Sequence, residues 1–115
     1  RLAGVFIQKI DQDTLAKLRA EMTGPMRSKR MRATQAAIAM GLQEPLLETF
    51  IDLLEDDDVL VRRTATEVVG QIPGEASLTA LNGMLEDTNP RLREIAKQGL
   101  ERLQTAAAPN TAPDQ

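Results

Sequence analysis

Four residue types that supply much of protein chemistry are missing from this 115-residue chain: histidine, cysteine, tryptophan and tyrosine. Without His or Cys, nucleophilic sites of the Ser-His and Cys-His kinds are excluded, together with disulfides and thiolate metal sites. No Gly-rich phosphate loop is present either. We therefore expect no catalytic residue, no metal site, no cofactor and no enzymatic activity.

Long apolar runs are missing as well. No segment approaches the roughly 18 apolar residues that a membrane span needs, and no signal-peptide pattern opens the chain. The lack of Cys fits a reducing compartment, which favours the cytoplasm. Because the chain begins at Arg1 and not at Met, we expect it to be a segment of a longer protein.

Charge is unevenly distributed along the chain. Residues 1–44 carry 8 Lys/Arg and 4 Asp/Glu, or +4, whereas residues 45–115 carry 6 and 13, or −7, which sum to the formal net charge of −3. A dipolar domain of this kind can orient a partner or a neighbouring domain. It differs from the basic domains that bind nucleic acid across a whole face.

The sequence repeats itself after 31 residues within Leu53–Leu103. A shift of 31 moves Leu54, Glu55, Asp56, Arg62, Ala65 and Val69 onto Leu85, Glu86, Asp87, Arg93, Ala96 and Leu100. Each unit contains two short helical patterns, and a period of about 30 residues is typical of stacked helical repeats. With two Phe as the only aromatic residues, the core between such helices must be aliphatic.

Start and stop signals predict where the helices lie. Asp11 or Asp13 can cap a helix that ends before Gly24, and Pro25 suits the first turn of a helix that ends at Gly41. Asp58 and Asn89 are predicted N-caps of two later helices. In the first of these, the doublets 60/61, 64/65 and 68/69 are assigned to the core.

These signals predict one repeat domain over residues 1–104. Its first repeat, about 11–41, is degenerate, and the repeats at about 45–70 and 74–103 are regular. The first repeat aligns with the second by a shift of 29 if Gly41 matches Gly70, or of 32 if Arg30 matches Arg62. Residues 2–10 have helical spacing, and residues 105–115 are predicted to be a disordered tail or linker.

The two regular units resemble HEAT-like repeats of the phycobilisome-lyase type. The residues that carry the resemblance are EDDDVLVRRTATEVVG, then PGEASLTALNGMLED, then NPRLREIAKQGL. The resemblance implies an all-α, right-handed α-α superhelix of about three helix pairs, which mediates protein contacts and has the second helix of each pair on its concave side. It implies no chemistry.

Two sets of positions recur with the repeat. Arg62 and Arg93 follow the acidic turns at Asp56 and Asp87, and we expect these four residues, the arginine ladder, to link adjacent repeats. A second set remains once the core doublets are removed, and we name it the predicted strip. It consists of Thr34, Gln35, Arg63, Thr66, Glu67, Glu94, Lys97 and Gln98.

The leading functional hypothesis is a non-catalytic module that binds another protein, or a neighbouring domain of the same chain, through the predicted strip. The alternative is a module that contacts nucleic acid through the basic run Arg27, Lys29, Arg30 and Arg32. The lack of Tyr and Trp for stacking, together with the acidic balance of the chain, makes nucleic acid the less favoured partner.

Overall fold

Helices account for the regular structure of this protein, in a computed structural model that describes residues 11–107. They are α1 (Gln12–Met22), α2 (Arg27–Ala39), α3 (Leu47–Asp52) with a 3₁₀ turn (Leu53–Glu55), α4 (Val59–Val69), α5 (Glu75–Met84) and α6 (Pro90–Ala107). No strand occurs within the described residues. The predicted all-α class is thereby confirmed, whereas the right-handed superhelix stays a prediction.

The helix termini follow the capping residues. Asp11 begins α1 and accepts a hydrogen bond from the Asp13 N–H. The Asp58 carboxylate begins α4 by accepting from the N–H groups of Leu60 and Val61, and Asn89 does the same for the first turn of α6. These side chains satisfy backbone donors that no carbonyl inside the helix can reach.

The chain divides into two compact units, Arg1–Thr49 and Phe50–Gln115. In the first unit, α1 packs against α2. Leu15 and Met22 on α1 are buried, as are Ala33 and Ala37 on α2. The small Ala side chains suit close approach of helices.

In the first unit, the sequence predicts the second helix over residues 26–40, with Pro25 suited to its first turn. Helix α2 is one residue shorter at each end, and Met26 is its N-cap, so Pro25 lies before the first turn. The extended backbone of Met26 explains the shift, since a capping residue lies outside helical φ/ψ. Gly41 has φ 73°, the left-handed conformation expected at a helix end.

In the second unit, α4 packs against the 3₁₀ turn, α5 and α6, and α5 also packs against α6. Val61, Ala65 and Val69 of α4 are fully buried, as are Leu81 of α5 and Ala96 of α6. The assignment of Leu60 to the core is wrong, because 59% of this residue is exposed. The buried stripe of α4 is rotated toward Thr66, which takes Leu60 out of the core.

Two other predictions concern the ends of the chain. Helix α6 continues to Ala107, so residues 105–107, which we assigned to a disordered tail, are helical. Consecutive Thr and Ala residues continue the helix because nothing in them breaks it before Pro109. The helical spacing of residues 2–10 and the rest of the predicted tail lie outside the described residues.

Glycines bring α4 and α6 close together. A Cβ added to Gly99 would lie 3.1 Å from the Gly70 Cα and 3.3 Å from Leu81 Cδ1, whereas a Cβ on Gly83 would meet nothing within 4 Å. Neither Gly83 nor Gly99 has a positive φ. A side chain larger than hydrogen would therefore clash with its neighbours at position 99, whereas position 83 has room for one.

This difference predicts opposite effects of the same substitution. Gly83→Ala should raise the free energy of unfolding by about 0.5–1 kcal/mol, the helix-propensity gain of Ala over Gly. Gly99→Ala should lower it, because the Cβ presses on the backbone of Gly70. Urea denaturation of both variants measures the two effects, and equal stabilisation would contradict the close approach.

Candidate protein-interaction surface

Arginines at one position of each helix pair make the same contact. Nη1 of Arg62 donates to the carbonyl of Asp56 at 2.8 Å, and Nη1 of Arg93 donates to the carbonyl of Asp87 at 2.7 Å. In the first unit, Nη1 of Arg30 donates to the carbonyl of Gly24 at 3.0 Å. Each donor lies six residues after its acceptor. An arginine in the second helix of each pair therefore anchors the turn that precedes this helix.

This shared contact supports the alignment of the first repeat by a shift of 32. A second pair of contacts agrees with it. The hydroxyl of Thr34 donates to the Arg30 carbonyl at 2.7 Å, and that of Thr66 to the Arg62 carbonyl at 2.6 Å. Arg30 and Arg62 are thus equivalent, whereas a shift of 29 matches neither contact.

Arg62 also reaches the turn of the following repeat. Its Nε lies 3.2 Å from Oδ1 of Asp87, and the side chains are 15% and 10% exposed. Nη2 approaches Oδ2 of Asp87 at 3.5 Å. Asp87 Oδ2 also accepts from the Asn89 N–H, as Asp56 Oδ1 accepts from the Asp58 N–H. One guanidinium therefore joins two consecutive acidic turns, whereas Arg93, within residues 11–107, contacts only the turn of its own repeat.

Most of the predicted strip in the second unit faces solvent. Arg63 and Glu67 form an ion pair one turn apart on α4, with Nε and Oε2 separated by 3.3 Å and side chains 44% and 47% exposed. On α6, Glu94, Lys97 and Gln98 are exposed, and Nε2 of Gln98 donates to Glu94. These five exposed residues of mixed charge lie on two helices that pack together, and Glu67 and Gln98 line the same groove, so we call the five the exposed strip.

Two members of the predicted strip are misplaced. Thr34 and Thr66 are fully buried, so they cannot face a partner; Gln35, beside Thr34, is exposed. The reason is the hydroxyl bond to the carbonyl four residues earlier, which satisfies the polar group inside the helix. With its hydroxyl bonded, Thr is a small branched residue that packs as Val does.

A groove of about 260 Å³ adjoins the exposed strip in the second unit. It is lined by Thr66, Glu67, Gly70, Gln71, Ile95, Gln98 and Arg102. Nη1 of Arg102 donates to the carbonyl of Gly70 at 2.9 Å and so satisfies a free acceptor at the end of α4. We did not predict Gln71 or Arg102, because the two residues occupy the same position of consecutive repeats, 31 residues apart, but differ in type.

The four residues of the basic run are not equivalent. Arg27, Lys29 and Arg32 are exposed, whereas Arg30 is partly buried and contacts the Gly24 carbonyl. Arg30 thus has a structural role, because it anchors the preceding turn. Within residues 11–107, no cluster of acidic side chains is arranged to hold a metal ion, and no helix is long and apolar enough to cross a membrane.

Comparison with protein families agrees with the repeated geometry. The family model for HEAT repeats matches residues 11–101, most of the chain. The chain belongs to the HEAT-repeat family. The match starts in the first helix pair, which agrees with the shared contact of Arg30. A search of curated proteins found no significant match.

The HEAT-repeat match fixes the class of the fold and says less about the role. HEAT repeats generally mediate protein interactions and scaffolding, and the family is typically non-enzymatic. The narrower resemblance to the phycobilisome-lyase type stays a prediction, since the matching model describes HEAT repeats in general.

The arginine ladder gives a test of what holds consecutive HEAT repeats together. Arg62→Ala should lower the free energy of unfolding by about 2 kcal/mol, because it leaves the mostly buried Asp87 carboxylate without its cation and the Asp56 carbonyl without its donor. Arg93→Ala is the matched control: Arg93 is exposed and makes the turn contact only. Thermal denaturation compares them, and an unchanged midpoint for Arg62→Ala would contradict a stabilising ladder.

Proposed function

We propose that this chain is a non-catalytic interaction module of HEAT repeats, which binds another protein or a neighbouring domain of the same chain. The exposed strip on α4 and α6 carries the proposal. Arg63, Glu67, Glu94, Lys97 and Gln98 take no part in the core, although they lie on the two helices that build it. The general role of HEAT repeats in protein contacts supports this role.

The chemistry of the strip defines the partner. It carries two cationic and two anionic side chains, and large apolar residues are absent from these five positions. A partner should therefore carry a complementary arrangement of charges, so binding depends on its orientation. Because the charges are exposed, we expect modest affinity that falls as salt screens them. The groove beside Gln71 and Arg102 offers a recess for one partner side chain.

The absence of His and Cys from the sequence supports a non-catalytic role. The acidic residues of the turns already have structural tasks, because Asp56 and Asp87 accept from backbone N–H groups and Asp87 also holds Arg62. Such carboxylates are tied to the fold and are poor candidates for acid–base catalysis.

Charge reversal on the strip tests the proposal. In the full-length protein, Arg63→Glu combined with Lys97→Glu should reduce recovery of its partner at least about tenfold, because two complementary contacts become repulsive. Quantitative mass spectrometry after affinity purification at moderate salt measures the recovery.

The matched control is Arg19→Glu combined with Arg91→Glu, which reverses two exposed charges outside the strip. It should leave the recovery unchanged. Both double variants should remain folded and unfold cooperatively, because the exposed ion pair of Arg63 with Glu67 that the strip variant loses contributes little stability. Equal recovery of every partner by a folded strip variant would leave the strip without a binding role.

A further inference from the structure

A second and larger groove lies elsewhere on the second unit. Its volume is about 600 Å³, within the range of about 300–1,000 Å³ that is common for ligand pockets. It runs between the end of α3 with its 3₁₀ turn and α5, and the acidic turns of both repeats close it. Arg62 is the one lining residue from α4, and α6 supplies none. The groove is thus separate from the exposed strip.

The lining of this groove has two parts. Leu54 and Met84 are only 5% and 6% exposed, and Ile51 is half-buried, so apolar side chains form the floor. Glu55 and Glu86 are exposed and therefore form the rim. The remaining lining residues are Asp56, Asp57, Arg62, Thr79, Ala80, Gly83, Asp87 and Thr88.

The rim carboxylates differ from the acids that hold the fold. Asp87 pairs with Arg62 and accepts from a backbone N–H, so its negative charge is already compensated within the fold. Glu55 and Glu86 form no side-chain ion pair or hydrogen bond within residues 11–107. They occupy the same position in consecutive repeats, 31 residues apart, so one carboxylate stands on each repeat beside a shared apolar floor.

We propose that this acid-rimmed groove binds a cationic, partly apolar segment of a partner protein. Charge complementarity selects the occupant. The two rim carboxylates repel anions and attract Lys or Arg, and the only cation in the lining, Arg62, is neutralised by Asp87. The apolar floor favours a peptide that carries aliphatic side chains between its charges, since burial of those side chains adds to the attraction.

Gly83 gives direct access to the groove for a test. It lines the groove, and a Cβ at this position would meet nothing within 4 Å. Gly83→Arg therefore places a long cationic side chain into the groove without strain at its base. Asn82→Arg is the matched control, because Asn82 is exposed on the same helix and does not line the groove.

The probe is a fluorescein-labelled pentapeptide with Lys at positions one, three and five and Leu between them, measured by fluorescence anisotropy at 0.15 M salt. A second peptide replaces each Lys by Glu. The full chain should bind the Lys peptide at least about tenfold more tightly than the Glu peptide. Gly83→Arg should weaken binding of the Lys peptide at least about fivefold more than Asn82→Arg does, since only one of them fills the groove.

A variant that leaves the groove open completes the experiment. Glu55→Gln combined with Glu86→Gln should weaken binding of the Lys peptide at least about fivefold without changing the thermal midpoint. Equal affinity for both peptides, equal losses in the Gly83 and Asn82 variants, or an unchanged affinity in the double Gln variant would each overturn the proposal. Charge reversal at Arg63 and Lys97 should leave peptide binding intact. The experiment can therefore contradict the peptide-binding role of the groove without bearing on the partner-binding role of the exposed strip.

Discussion

Arg62 makes the contact on which the regular part of this structure depends. Its guanidinium donates to the carbonyl of its own turn at Asp56 and pairs with the carboxylate of the next turn at Asp87. The geometry of a planar donor group allows both contacts at once, which a Lys ammonium on a flexible stem does less well. Because Asp87 also accepts from the Asn89 N–H, one ion pair connects the start of α4 to the start of α6. Arg30 and Arg93 make the same contact with their own turns.

Fixing the turns in this way leaves other surfaces of the second unit open. The helices α4 and α6 approach at Gly70 and Gly99, and Arg102 satisfies the carbonyl at that end of α4. The opposite ends of the same helices are held by Arg62. The outward side chains of α4 and α6 are then not required by the fold, which leaves them available for the binding role we propose. The groove beside α5 is formed by the same stacking of repeats. Two surfaces of different charge thus result from one repeated arrangement.

Much of the fold could be predicted from the sequence because it depends on local signals. Asp11, Asp58 and Asn89 cap helices where the sequence predicts caps, and the period of 31 residues gives the helix pairs.

The error at Thr66 has a local cause too: pattern counting treats Thr as polar, whereas its hydroxyl bonds to the Arg62 carbonyl and its methyl group packs inside. Contacts between residues whose type does not recur with the repeat, such as Arg102 with Gly70, give no signal in the sequence. Neither groove could be predicted, because the space between helices depends on their packing and, at Gly83, on an absent side chain.

A double-mutant cycle tests most directly whether Arg62 and Asp87 connect consecutive repeats. Arg62→Ala and Asp87→Asn are made singly and together, and the Asn keeps an acceptor for the Asn89 N–H. Urea denaturation gives the free energy of unfolding of each variant. If the pair acts as described, the two losses should be coupled by at least about 1 kcal/mol, as expected for residues in contact. Additive losses would show that the two side chains stabilise their own turns independently and would contradict a link between the repeats.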